Sequence, residues 1–388
     1  MKKAILSAVL ATSCICGSAM AQEIVPEADA KLMVWADHGA STKFMKYAAE
    51  EFNKQNGYNV EFTFRSLSPV DTATRLIQDG GTTQVGDVVE IEHDTLGRLV
   101  VAGGVMENLV STDRIEKEMI PGAVAASKAN NVGYGFPVSF ATLAMYYNKD
   151  LLNEEPKTFE EIIEFSKTFN NSRQKKYALL WNVQNYYESR MFFAMNGGYE
   201  FGNEGSNPQD LGIANEGAVQ GLTAMLKLKE ANSANSADLT DPQVRRGLFQ
   251  EGKVAALIDG PWAEAGLKKS GINLGVTSIP TLDGHHPRTF STVRLAVVSA
   301  FTEYPRASQL FADFLSSEAM AEKRYEMTGA IPPVATVMKE IESSATPLTQ
   351  AVINQASMLT QCRLSLRWAI SGNQWLRRLL RYGTTVKT

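Results

Sequence analysis

The first half of the chain alternates short apolar runs with amphipathic segments. Residues 31–35, 58–64 and 87–91 have the length and spacing of half-buried or buried strands. Between them, residues 43–53 and 73–78 place apolar side chains at helical spacing. This alternation predicts a βαβ lobe with a largely parallel sheet, in which ligands bind at the carboxyl ends of the strands.

The same two periodicities return later in the chain, which predicts a second α/β lobe. Helical spacing recurs over 160–169, 216–230 and 242–250, and strand-like runs recur over 254–258 and 275–279. After residue 290 a further strand, 295–299, and a further helix, 305–315, are predicted. The fold class is therefore α/β, with about two domains for a chain of this length.

Residues 1–21 have the pattern of a secretory signal peptide. Lys2 and Lys3 precede an apolar run over 4–16, and the small-x-small sequence 19–21 precedes Gln22. The apolar run is shorter than the roughly 20 residues that cross a bilayer, so a membrane anchor is the weaker interpretation. We expect the mature protein to begin near Gln22 and to be periplasmic.

Lipid attachment at the signal is an alternative that the sequence disfavours. Cys14 and Cys16 lie within the apolar run, but Ala11 and Ser13 occupy the place, three residues earlier, where a lipidation site has leucine. A protein from a Gram-positive cell would nevertheless need such an anchor.

The cysteine content and the net charge of the chain exclude some classes of protein. The body, residues 22–357, contains no cysteine, so no disulfide framework holds it. The signal and the tail contain eight of the 38 basic residues and none of the 42 acidic ones, which leaves the body at −12. This charge argues against nucleic acid or an anionic surface as a partner.

In two stretches, an apolar run that is typical of a buried strand ends at a turn and is followed by polar and aromatic residues. One is 136–138 leading into 146–152, and the other is the sequence ALIDGPW at 256–262. Both resemble the extracellular solute-binding proteins of bacterial ABC importers, above all the maltodextrin-binding branch. The resemblance covers residues 31–357.

The resemblance implies a two-lobe periplasmic-binding-protein fold with three interlobe crossings and a cleft between the lobes. The N-terminal lobe would comprise 22–140 with 295–331, and the C-terminal lobe 141–294 with 332–357. The crossings would lie near 139–144, 290–296 and 329–333.

The same resemblance implies a ligand-binding set of six residues: Asp37, His38, Asp94, Asn185, Tyr187 and Trp262. Carboxylates suit sugars because they accept strong hydrogen bonds from paired hydroxyls, although Asp37 and Asp94 could instead cap helices. An indole can lie against the apolar face of a pyranose, although Trp262 could instead be a core residue. Tyr186, beside Tyr187, is interpreted as a packing residue.

Three positions depart from the maltodextrin-binding pattern: Thr95, Ala141 and Ile91 stand where arginine, glutamate and an aromatic residue are expected. The particular sugar therefore does not follow from the sequence. Glycoside hydrolysis is a minor alternative, since Glu90, Glu92 and Asp94 would share one face of an alternating strand.

The function implied is that of a non-enzymatic receptor for maltose or a maltodextrin-like oligosaccharide. It would close about a hinge and deliver the sugar to the transmembrane subunits of an ABC permease, as a monomer and without a cofactor. A receptor for another oligosaccharide or small polar solute is the alternative. The pair His285-His286 is interpreted as a solvated turn, so no metal site is predicted.

Residues 358–388 form an anomalous basic tail. They contain five of the seventeen arginines and no acidic residue. Our hypothesis is a single-base deletion after the codon of Ser357, and the alternative is a divergent basic tail. Sequencing the gene tests this, because a one-base shift after Ser357 should encode a Pro-Glu-Met-Gly-like segment; absence of such a segment would refute the deletion.

Overall fold

Two β-sheets form the centre of the fold in the computed structural model, which describes residues 24–202, 207 and 209–356. The predicted signal peptide and the basic tail lie outside the described residues. The strands are β1 (Lys31–Ala36), β2 (Glu61–Ser66), β3 (Val88–Glu92), β4 (Lys128–Ala129), β5 (Val132–Gly133), β6 (Gly135–Thr142), β7 (Ala144–Asn148), β8 (Tyr177–Leu180), β9 (Val254–Asp259), β10 (Leu274–Thr277) and β11 (Ser291–Val298).

Helices cover both sheets. They are α1 (Ala40–Asn56), α2 (Pro69–Asp79), α3 (Leu96–Val101), α4 (Thr112–Glu118), α5 (Pro121–Ala126), α6 (Phe159–Phe169), α7 (Tyr186–Met195), α8 (Glu216–Met225), α9 (Ser236–Thr240), α10 (Pro242–Gln250), α11 (Glu264–Lys269), α12 (Pro305–Leu315), α13 (Glu318–Thr328), α14 (Ala335–Ser343) and α15 (Pro347–Ala356).

The first sheet has the strand order β2-β1-β3-β11-β6. β1 pairs in parallel with β2 and β3, whereas β11 is antiparallel to both β3 and β6. Four strands therefore run in one direction and β11 alone runs against them, which agrees with the prediction of a largely parallel sheet.

The second sheet has the order β10-β7-β9-β8. β8 and β9 are parallel, and β7 is antiparallel to both β9 and β10. In each sheet the strand of opposite direction is the one that arrives directly from the other sheet: β7 follows β6 after Leu143, and β11 follows β10.

The chain passes the edge of the first sheet again near its described end. Ile331 bridges Phe140 on β6, and Val334 bridges Met119. α15 then packs against β10, β7 and β6, and so contacts strands of both sheets. The predicted bounds of the two lobes stay a prediction.

Several predicted elements differ by a few residues in extent from the observed ones, including the following three. The helix predicted at 73–78 begins at Pro69, where proline has a favourable φ and its missing N–H costs nothing. The helix predicted over 216–230 is α-helical only to Met225 and continues as a 3₁₀ turn. β11 begins at Ser291, four residues before the predicted strand.

A charged pair is buried between strand β3 and helix α13. Arg324 Nη1 donates to Glu90 Oε1 at 2.6 Å, and the two side chains are 2% and 1% exposed. The Arg324 guanidinium also lies 4.3 Å from the centroid of the Phe44 ring. Removing one member of such a pair leaves an uncompensated charge in the core.

We expect Arg324→Met to lower the free energy of unfolding by about 3–5 kcal/mol, measured by urea denaturation. Replacing Glu90 with Leu in the same variant should recover part of that loss, because no buried charge then remains. The exposed pair of Lys31 with Glu61 at 3.2 Å is the control, and Lys31→Met should cost less than about 1 kcal/mol. An Arg324→Met protein as stable as the wild type would contradict the account of this pair.

Candidate functional site

The strand register brings the ends of strands from both sheets to the same crossing. Asp259, the last residue of β9, pairs with Ala144, the first residue of β7. On the other side of Leu143, Thr142, the last residue of β6, pairs with Ser291 at the start of β11. Residues just past these strand ends are therefore grouped at the junction of the two sheets.

Three carboxylates and one guanidinium lie on the first-sheet side of this junction. Arg294 on β11 is the direct partner of Glu92 on β3. Its Nη2 donates to Glu92 Oε1 at 3.0 Å, and its Nη1 donates to Asp37 Oδ2 at 3.3 Å. With Asp94, two residues after Glu92, these side chains form what we call the acidic rim: Asp37, Glu92, Asp94 and Arg294.

Asp37 follows β1 directly and does not cap α1. The N-cap residue of α1 is Gly39, and no side chain caps this helix. Asp37 Oδ1 instead accepts the backbone N–H of His38 at 2.8 Å, while its Oδ2 accepts from Arg294. The His38 side chain is exposed beside it. The capping alternative for Asp37 is therefore wrong.

Asp94 lies in a 3₁₀ turn, His93–Thr95, rather than on a strand, and it makes no cap hydrogen bond there. Its side chain is exposed, yet loss of hydration raises its pKa, with Glu92 adding to the rise and His93 and Arg98 opposing it. Asp94 is therefore accessible to a ligand, and its surroundings disfavour the charged form of its carboxyl.

Arg294 was not predicted as a site residue. The predicted strand began at residue 295, so Arg294 lay outside it, and its partner Glu92 is distant in sequence. Burial lowers the pKa of its guanidinium, but Glu92, Glu90 and Asp37 outweigh that effect and the pKa is raised. The detectable signal was a single arginine within the apolar run VRLAVV at a predicted crossing.

Trp262 lies beyond the end of β9, on the second-sheet side of the junction. Its side chain is 53% exposed, so the core alternative is wrong for this residue. The indole is nevertheless held, because Nε1 donates to Asp259 Oδ1 at 2.7 Å. An exposed aromatic face with a fixed edge is suited to stacking against an apolar ligand surface.

Asn185 and Tyr187 lie at the start of α7. This helix contacts Phe290, where the chain is about to enter β11. Asn185 is the N-cap, and its Oδ1 accepts the backbone N–H of Tyr187 at 2.9 Å. The Tyr187 ring stacks on Phe290, with centroids 6.2 Å apart, directly before β11 begins. Tyr186 packs edge-on against Phe290 and donates to Glu200 at 2.6 Å, consistent with its interpretation as a packing residue.

The arrangement predicted for a glycosidase does not occur. β3 ends at Glu92, so Asp94 does not share a strand face with Glu90 and Glu92. Glu90 is 1% exposed and paired with Arg324, so it cannot reach a glycosidic bond. Among the described residues, no group of three or more acidic, histidine or cysteine side chains could hold a metal ion.

None of the helices in the described part of the chain is both long enough and apolar enough to cross a membrane.

Residues 47–351 match the family model described as a bacterial extracellular solute-binding protein, and the chain belongs to this family. Its relatives include a maltooligosaccharide ABC transporter solute-binding lipoprotein of Streptococcus pneumoniae strain R6. That protein is 30% identical over 358 residues, covering 88% of this chain and 81% of the relative. A galactooligosaccharide-binding protein of Bacillus subtilis strain 168 is 31% identical over 334 residues, covering 84% of this chain and 78% of the relative.

A solved structure of similar fold is that of MalX from Streptococcus pneumoniae in complex with maltopentaose. It has a TM-score of 0.78 at 28% identity and covers 88% of this chain and 95% of MalX. The fold of the chain is thus the α/β two-lobe fold of periplasmic binding proteins, and its family is extracellular.

We expect Asp94→Asn to raise the melting temperature of the unliganded protein at neutral pH. The raised pKa of Asp94 means that the folded protein favours its protonated form, so this group stabilises the fold at acid pH and loses that contribution as pH rises through its pKa. The neutral amide should remove the cost at neutral pH. A melting temperature unchanged or lowered at neutral pH, measured by calorimetry, would contradict a raised pKa for Asp94.

Proposed function

We propose that the protein is the substrate-binding receptor of a carbohydrate ABC importer, with a maltodextrin-like oligosaccharide as its ligand. The observation that carries the proposal is the exposed Trp262 indole beside a crossing whose other side has the acidic rim. A pyranose presents an apolar face and hydroxyl donors at its edge, so it can use both groups at once.

The charge of the acidic rim favours a neutral polyol over an anion. Asp37, Glu92 and Asp94 outnumber Arg294 within the acidic rim, and Arg98 also acts on Asp94. A phosphate ester would meet these charges with little compensation, whereas a sugar hydroxyl donates to them. We keep the six ligand-binding residues that the resemblance implies and propose Arg294 as a seventh.

Closure about the hinge would follow from contacts on both sides of the crossing. A ligand that touches only one lobe has the same affinity for open and closed forms and cannot favour closure. A saccharide that stacks on Trp262 and donates to Asp94 would bind the closed form better. The closed complex would then be delivered to the permease.

A receptor for a galactooligosaccharide is the second candidate. It is favoured by the relative of that name and by Thr95, Ala141 and Ile91, which depart from the maltodextrin-binding pattern. The two sugars share the polyol chemistry on which the site depends. We propose further that the receptor acts as a monomer and, because its relatives are named as binding proteins, that it has no catalytic activity.

A thermal-shift screen tests the function. We expect maltopentaose to raise the melting temperature, since a ligand at 100 times its Kd stabilises a protein by about 2.7 kcal/mol. Trp262→Ala should weaken binding by roughly 1–3 kcal/mol while leaving the unliganded fold intact, because the indole is largely exposed. Phe301→Ala, at 38% exposure in the first lobe, is the matched control and should bind normally.

A larger shift with a galactooligosaccharide would select the second candidate. Stabilisation by glycerol phosphate or an amino acid, with no response to any saccharide, would refute the carbohydrate proposal.

A further inference from the structure

The Trp262 indole is held by the chain itself although the residue is 53% exposed. Its N–H donates to Asp259 Oδ1 at 2.7 Å. Its six-membered ring folds back over Gly260, where an added Cβ would lie only 2.3 Å from Cη2 of the indole. One edge and one face of the ring are therefore held by the chain itself.

Asp259 is a buried carboxylate that other groups hold in place. It is 4% exposed and ends β9. Arg246 on α10 binds it with two hydrogen bonds, Nε to Oδ2 at 2.7 Å and Nη2 to Oδ1 at 3.0 Å. The backbone N–H of Gly260 donates to the same Oδ1 at 2.8 Å.

Arg246 depends on this contact in turn. Burial lowers the pKa of its guanidinium, but the hydrogen bond and charge of Asp259 outweigh burial, with smaller contributions from Tyr146 and Glu188, and the pKa is raised. The Tyr146 hydroxyl donates to the carbonyl oxygen of Gly260 at 2.9 Å, which fixes the backbone between Asp259 and Trp262. The support under the indole thus comes from β7, β9 and α10.

We propose that Asp259, held by Arg246, is a positioning residue that presets the plane of the Trp262 indole for stacking against a saccharide. The proposal rests on the carbohydrate function proposed above. Ordering a free side chain on binding costs about 0.5–1.5 kcal/mol, and a preset indole avoids this cost. The affinity for saccharide then depends on a carboxylate that the ligand does not touch.

A double-mutant cycle in maltopentaose affinity, measured by isothermal titration calorimetry, tests the proposal. Asp259→Leu removes the acceptor and should weaken binding about three- to tenfold. The same substitution in a Trp262→Ala protein should change the affinity no further, because Asp259 acts only through the indole. Asp259→Asn, which keeps an acceptor oxygen, should recover most of the affinity.

A spectroscopic measurement separates positioning from general support of the fold. In ¹⁵N-tryptophan-labelled protein, the Trp262 indole N–H resonance is assigned by its absence in Trp262→Ala. Asp259→Leu should move it upfield as the carboxylate hydrogen bond is lost, and Asp259→Asn should move it less. The matched control is Asp238, equally buried at 4% and paired with Lys175 at 2.8 Å; Asp238→Leu should leave this resonance and the affinity unchanged.

Should Asp259→Leu fail to fold, Gly260→Ala decides the question. Its Cβ would lie 2.3 Å from Cη2 of the indole and so displace the ring, and its affinity should fall towards that of Trp262→Ala. Wild-type affinity in Gly260→Ala overturns the proposal. So does an equal loss from Asp259→Leu with and without Trp262, or an indole resonance that Asp259→Leu does not move.

The failure of the proposed function has a different signature. A wild-type protein that binds no saccharide overturns the function, and the presetting for saccharide with it. A wild-type protein that binds maltopentaose but shows no coupling between Asp259 and Trp262 overturns only the positioning role.

Discussion

The antiparallel pairing of β6 with β11 determines where the two sheets meet. β6 leaves the first sheet at Thr142 and β11 enters it at Ser291, and these two residues are partners in the register. Both crossings are therefore hydrogen-bonded to each other at the junction. Two adjacent crossings resist twisting more than bending, which favours one opening and closing motion. The candidate residues lie on both sides of this junction, so opening and closing would change the distance between them.

The two sides of the junction expose different chemistry. On the first-sheet side, carboxylates are accessible, and Arg294 offsets part of their mutual repulsion by binding Asp37 and Glu92. On the second-sheet side, a large aromatic ring is exposed beyond the end of β9. The hydrogen bond to Asp259 and the close approach to Gly260 keep Trp262 in that position. A ligand that contacts both sides would meet carboxylates on one and an aromatic ring on the other.

Local sequence patterns predicted the alternation of strands and helices and the exposure of Trp262, because a proline after a buried run ends the strand and turns the chain outward. They did not predict Arg294, since its role depends on the register of β11 with β3. Asp94 follows the predicted strand 87–91; only the glycosidase alternative extended that strand to Asp94, and β3 ends at Glu92. The cap at Asn185 could have been predicted, since Glu188 follows it at the spacing of a capping sequence. The lobe bounds and the ligand-binding roles stay predictions.

The proposed function requires one ligand to contact both sides of the crossing and so to close the lobes. Small-angle X-ray scattering of the protein with and without saturating maltopentaose tests this. We expect the radius of gyration to fall on binding, because a ligand shared by both lobes favours the closed form. Binding of maltopentaose, confirmed by calorimetry on the same sample, with no change in the radius of gyration would place the site on one lobe and contradict closure.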